Sequence, residues 1–437
     1  MRVARGESSL GTSLTDQTRH PYPTVRMNRQ PVHTLYVAAD ALTARTARDA
    51  GERALAALGE WAPSPGAFGR ALGWSEDDEL LDTVYARVVE KLEREPVEDL
   101  RADFEDGYGT RTDAEEDAEA RRVGEALAAA AAAHILPPFA GIRVKPFTDE
   151  LRARSARTLE LVLTAIVDRC GALPPGMRIT LAKITTAEQM ARFADLLGEL
   201  EARLGVPGGT LRFEMMVETP QSLIDASGAV ALPRLISAGR GRVSAAHFGV
   251  YDFTTACGIA PSHQRLRQPL ADFVRQTILV ALAGSEIWLS DGSTAVLPVP
   301  PHHVRGTSDE EQTGARRAAV YDGWKLHFDD VLNSLAQGFY QGWDLHPAQL
   351  PARFAAVYRF FLSGMSATAS RVRALLERAE SGAIQDDPAT GQALIAFLAR
   401  GVACGALSSA DVCRASGLRP DELGSGSFAE VLRARRR

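Results

Sequence analysis

Along most of its length the chain alternates short apolar segments with longer helical ones, and this alternation narrows the fold more than any other feature. Candidate strands lie at 33–39, 100–104, 141–147, 178–184, 211–217 and 243–250, with two later ones at 295–299 and 339–345. Several intervening segments open with helix-start signals. Thr112-Asp113-Ala114-Glu115 and Thr186-Ala187-Glu188-Gln189 fit the capping box, in which a Thr hydroxyl and a Glu or Gln side chain satisfy each other's backbone N–H groups. Thr219-Pro220 places proline at the first helical position, where its missing N–H is no loss. Strand, helix, strand in repetition means parallel strands joined by crossovers. Eight such strands predict an α/β fold, a closed (β/α)8 TIM barrel.

The length of 437 residues leaves room for more than a barrel. Residues 1–32 carry scattered Arg, Ser and Thr without apolar periodicity and read as a flexible tail, with Met27 a second candidate for the start of translation. Residues 33–350 read as the barrel, a catalytic domain, with a helical insertion at about 61–96 between the first two strands. The segment 291–321, rich in Pro, His and Gly, reads as an extended loop. After Pro351 the strand signals vanish, and 351–437 read as a helical C-terminal appendage.

Composition then excludes several classes. A chain with 45% hydrophobic and 24% charged residues is globular rather than disordered or fibrous. A formal charge of -6, from 55 acidic and 49 basic residues, argues against a nucleic-acid partner held through phosphates. No apolar run reaches the roughly 18 residues that a membrane span needs. Four cysteines, at 170, 257, 404 and 413, form no CxxC pair and point to a reduced, cytoplasmic setting.

Charged residues close successive strands at the period of the repeat. Glu105, Arg143, Lys183, Glu218 and Asp252 are separated by 38, 40, 35 and 34 residues, each about one strand–helix unit. Groups at this spacing converge at the C-terminal mouth of a barrel, where such enzymes keep their chemistry. Glu218 and Asp252 offer two hard oxygen ligands, suited to Mg²⁺ with its remaining positions left to water and substrate. A lone pair of acids is more often solvated surface charge, so the period carries the argument. The planar guanidinium of Arg143 matches a carboxylate. Lys183 either holds an anionic substrate or pairs with Glu218 or Glu105.

Other residues read as structural. His247 alternates with apolar neighbours as a core histidine would, and His346 before Pro347 reads as shaping the rim. The adjacent His302 and His303 point apart in extended chain. Cys257 lacks a histidine partner at a known spacing for thiol catalysis. The glycines of Gly107-Tyr108-Gly109 allow close backbone approach to an anion, or simply punctuate a loop.

Six motifs in order resemble the superfamily of citrate lyase β-subunits, HpcH/HpaI aldolases and malate synthases, over roughly 33–350. Asp103-Phe104-Glu105-Asp106-Gly107 resembles its acidic segment after the second strand. Arg143-Val144-Lys145-Pro146 resembles the RVN strand, with lysine where asparagine is common. Ala182-Lys183-Ile184 resembles the PKv strand, with alanine for proline. Met216-Val217-Glu218-Thr219-Pro220 and Gly249-Val250-Tyr251-Asp252-Phe253 resemble the two strands that supply metal ligands. Gly342-Trp343-Asp344-Leu345-His346-Pro347-Ala348-Gln349 resembles the closing strand, with Trp343 where lysine is frequent.

The resemblance implies a carbon–carbon lyase or aldolase of the citrate lyase β-subunit type, acting through a metal-stabilised enolate of a small carboxylic acid, keto acid or acyl-coenzyme A. By that analogy Glu218 and Asp252 bind Mg²⁺ or Mn²⁺, Arg143 binds substrate oxygen, and Glu105 and Asp106 order water on the metal or assist proton transfer. It also implies a homo-oligomer. Two alternatives stand beside it: phosphoryl transfer on phosphoenolpyruvate, and a non-catalytic binding protein on the same barrel.

Overall fold

In the computed structural model, which describes residues 29–75, 78–301, 309–380 and 388–435, eight parallel strands close into a barrel in sequence order. They are β1 (His33–Ala38), β2 (Asp99–Asp103), β3 (Phe139–Val144), β4 (Met177–Leu181), β5 (Phe213–Val217), β6 (Val243–Phe248), β7 (Trp288–Ser293) and β8 (Gln341–Asp344). The barrel shuts where β1 pairs with β8, His33 lying beside Gly342. Both expected capping boxes form, at Thr112 with Glu115 and at Thr186 with Gln189. Thr219 and Pro220 do start a helix, but it runs only over Pro220–Leu223. Between β1 and β2 the helices Thr46–Trp61, Pro65–Leu72 and Leu81–Arg94 follow one another. Among the described residues no helix is long and apolar enough to cross a membrane. The expectations for residues 1–28, including Met27, and for His302 and His303 lie outside the described residues.

The seventh strand is not where the apolar pattern puts it. Residues 295–299 lie after the strand, with Val296 and Val299 exposed, and the strand is Trp288–Ser293, of sequence WLSDGS. Its polar residues are buried because partners wait for them. Asp291 receives Arg275 Nη1 at 3.2 Å, and the fully buried Arg275 also donates to the Leu266 carbonyl at 2.7 Å and to Asp272 at 2.8 Å. The expected loop over 291–321 is likewise corrected, since β7 ends inside it and the helix Asp309–Ala336 begins inside it.

Removing one partner of a buried pair strands the other charge, which typically costs about 3–5 kcal/mol. Arg275→Ala is therefore expected to lower the unfolding free energy by about that amount in urea titration. A loss below about 1 kcal/mol would show that Asp291 finds other partners.

The C-terminal part is helical, over Leu350–Glu380, Pro388–Ala403, Ser409–Ser416, Pro420–Ser425 and Phe428–Arg435. Helix Leu350–Glu380 packs on Asp309–Ala336 and Leu81–Arg94. An ion cluster under β8 fastens its start. The buried Asp344 meets His33 Nδ1 at 2.6 Å, His327 Nε2 at 2.9 Å and Arg353 Nη2 at 2.9 Å. Burial alone would push this carboxyl up, but Arg353 and the two histidines hold it well below the usual carboxylate range.

Alternate residues of each strand face the barrel axis and stack in layers. Deep inside, Arg101 is clamped between Asp99 at 2.7 Å and Glu214 at 2.9 Å, and it donates to Thr180 at 2.7 Å. Above this lies a small apolar layer of Tyr36, Ala182, Met216 and Trp343. The Trp343 indole N–H donates to His247 at 2.9 Å, so the tryptophan that stands in the place of a familiar lysine is bonded inward. The candidate site rests on this layer.

Candidate active site

Asp103 ends β2 directly beside Arg143 of β3. Its carboxylate takes Arg143 Nε at 2.7 Å and Nη2 at 2.6 Å, together with the backbone N–H groups of Glu105 at 3.0 Å and Gly107 at 2.8 Å. The glycine is required here, because a Cβ on Gly107 would stand 2.6 Å from Asp103 Oδ2. The anion that this glycine loop approaches is thus the protein's own Asp103.

Arg143 is correspondingly corrected in one respect. Its two-pronged edge faces Asp103, leaving Nη1 to reach Glu105 at 3.3 Å and Asp106 at 3.7 Å. The guanidinium also lies 5.1 Å over the Tyr36 ring, which packs against Trp343.

Lys183, two residues past β4, has φ +52°, a left-handed conformation uncommon for a side-chain-bearing residue. That bend aims its backbone N–H at Glu218 Oε1, 2.6 Å away. Its ammonium reaches Asp252 at 2.7 Å, Asp106 at 3.3 Å, Glu105 at 3.6 Å and Glu218 at 3.7 Å. Glu105, Asp106, Arg143, Lys183, Glu218 and Asp252 are therefore all brought together. Asp252 stands in the first turn of helix Val250–Ala256 rather than on a strand.

Glu218, immediately after β5, is 1% exposed, and its Oε2 has no hydrogen-bond partner. It fits only because residue 249 is glycine, since a Cβ there would lie 2.5 Å from Glu218 Cβ and 2.8 Å from Oε2. Burial pushes its carboxyl up to about 7 despite the nearby Lys183, with Asp252 adding to the rise. Glu105 is also raised, by burial first and by its contact with Asp106. Asp106 is held down against burial by Glu105, Arg143 and Lys183.

The charge inventory points one way. Five acids (Asp103, Glu105, Asp106, Glu218 and Asp252) surround two cations, Arg143 and Lys183. Such a cluster relieves its excess by taking up protons or a further cation. Among the described residues no three His, Cys, Asp or Glu side chains stand ready together around a metal position. Instead, the Lys183 ammonium bridges Glu218 and Asp252. The hard oxygens, a Glu218 Oε2 that accepts no hydrogen bond and the excess of negative charge nevertheless fit a small divalent cation, with the ammonium moved aside.

Sequence reasoning missed Asp103 as a site residue, although it stands in the quoted acidic motif and alternates with the inward Arg101. Lys145 bonds the Phe104 carbonyl at 2.8 Å and Glu116 at 2.9 Å. His346 caps the turn after β8 by accepting from the Ala348 N–H at 3.1 Å. His247 is buried against Trp343, and Cys257 is exposed.

A family model described as a domain of unknown function, DUF6986, matches residues 12–431, nearly the whole chain. The chain belongs to the DUF6986 family. No curated protein matches this DUF6986 chain. Among solved structures it is similar to Haloferax volcanii malate synthase. The native form with glyoxylate is 13% identical, covering 77% of this chain and 76% of that one at a TM-score of 0.44. The lead(II) complex is 13% identical, covering 92% and 95% at a TM-score of 0.44.

Proposed function

We propose that the barrel mouth makes or breaks a carbon–carbon bond beside a carboxylate or thioester carbonyl, through an enolate, with Mg²⁺ or Mn²⁺ held by Glu218 and Asp252. The observation that carries this reading is the buried Glu218 Oε2, which accepts no hydrogen bond and has only the Lys183 ammonium 3.7 Å away, inside a cluster of five acids and two cations. An ion held there supplies positive charge against a developing enolate oxygen.

The remaining roles belong to side chains of this chain. Arg143, locked along one edge by Asp103, presents Nη1 in a fixed place, so little reorganisation is needed when charge develops. Glu105, raised by burial, holds a proton near neutral pH and can deliver or take it at the reacting carbon or oxygen. Lys183 binds the anionic end of the substrate, while the ionised Asp106 orders water or assists Glu105 in proton transfer. Tyr36, Met216 and Trp343 form an apolar floor that excludes water beneath.

The substrate is a small carboxylic acid, keto acid or acyl-coenzyme A. We take 33–350 as the catalytic unit, 351–437 as its helical appendage, and a homo-oligomer as the assembly. The reading is tested by Mg²⁺-dependent exchange of substrate α-protons with deuterium, which reports enolate formation without knowledge of the electrophile.

A further inference from the structure

We propose a second ligand site, for a small organic anion carrying a phosphate or carboxylate head, in the cavity where helix Leu81–Arg94 meets the C-terminal helices Leu350–Glu380 and Pro388–Ala403. The cavity encloses about 400 Å³, within the range of small-molecule sites. Glu95 and Glu98 precede β2 whereas Glu105 follows it, so this cavity and the barrel mouth belong to opposite ends of that strand.

Its charges are arranged unevenly. At the back, Arg29 and Lys91 are neutralised by Glu95 and Glu98, with Lys91 Nζ 2.6 Å from each acid and Arg29 3.0 Å from Glu98. At the rim, Arg94 pairs with Glu90. Arg87 is different. Its guanidinium donates to the Ala406 carbonyl, and among the described residues no carboxylate pairs with it. One positive charge is thus left over in a partly buried wall, with most of its donors unused.

Beside it, the buried Tyr358 lines the same space. Burial pushes this phenol up, with Glu98 adding to the rise and Arg87 opposing it. Cys404 also lines the wall, but burial pushes its thiol up to about 12, so no thiolate competes for Arg87. A planar fork plus a hydroxyl donor is the equipment for an oxyanion. Val402 and Leu407 give the rest of the cavity an apolar side for the ligand body.

Calorimetric titration of the full chain at constant ionic strength, with inorganic phosphate in one arm and succinate in the other, tests the site. Saturable binding is expected in at least one arm, and which arm responds identifies the head group. Arg87→Gln should weaken it at least tenfold, because a charged hydrogen-bond partner is lost. Tyr358→Phe should weaken it severalfold. No saturable binding in either arm overturns the proposal. So does unchanged binding by Arg87→Gln, which would place the anion elsewhere, as at Arg143 or Lys183. Because Arg87 also holds the Ala406 carbonyl, Arg87→Gln can fail to fold. Tyr358→Phe then decides, and binding equal to wild type in that variant overturns the site.

Discussion

Glutamine in place of Glu218 is expected to abolish the thermal stabilisation that Mg²⁺ confers, while making the metal-free protein more stable than wild type at pH 8. Glutamine keeps the shape and an oxygen for the Lys183 backbone N–H, which now lies 2.6 Å from Oε1. It cannot carry the negative charge that holds a cation. The gain without metal follows from the direction of the pKa shift. The Glu218 carboxyl is raised from 4.5 to about 7 by burial. Between those values the native protein keeps a proton that the unfolded chain has released, so stability falls as pH rises through that window and the loss is complete above it. The penalty is on the order of 3 kcal/mol, at 1.36 kcal/mol per pKa unit. A residue that does not ionise escapes it. Bound Mg²⁺ at a hundred times its dissociation constant restores about 2.7 kcal/mol to wild type. Melting curves at pH 5–8, with Mg²⁺ and with chelator, measure both effects. If the variant gains as much from Mg²⁺ as wild type does, the ion binds elsewhere.

The features legible in the sequence are those set by local chemistry. Capping boxes at Thr112 and Thr186 involve residues three apart, and most strands before β7, though not the charged β2, are largely apolar segments that alternate with helix starts. Strand β7 was not legible, because WLSDGS looks like a loop until Arg275 and Ser334 are seen to meet Asp291. Such partners are distant in sequence, and no periodicity announces them.

The site divides in the same way. Repetition of the strand–helix unit brings Glu105, Arg143, Lys183, Glu218 and Asp252 to one mouth, so their spacing suffices to collect them. What each touches depends on register and backbone bend. Asp103 matters because β2 sets it directly beside Arg143. Lys183 bridges the acids from a left-handed conformation that no propensity predicts. The turning of Arg143's two-pronged edge towards Asp103 is a consequence of that register.

Arg143→Lys is expected to lower the rate of α-proton exchange by about 10²–10³, the usual effect of deleting one preorganised donor to a developing oxyanion. Lysine keeps the charge but has a single ammonium. It cannot span both oxygens of Asp103 at 2.6 and 2.7 Å while also presenting a donor beside Glu105 at 3.3 Å. Either the carboxylate of Asp103 is left short of partners or the mouth loses its donor. Both outcomes remove a fixed positive edge from the place where an enolate oxygen gains charge. Proton spectra of pyruvate and of acetyl-coenzyme A in deuterated buffer, with Mg²⁺ present, should show loss of the α-proton signal with wild type and only slow loss with the variant. The Mg²⁺-dependent shift in melting temperature serves as the control, since Arg143 is not assigned to the metal. A variant that keeps this shift while losing exchange has lost transition-state stabilisation rather than its site. Absence of exchange with every candidate, in wild-type protein that binds Mg²⁺, would sink the enolate reading and favour phosphoryl transfer or a binding protein on this barrel.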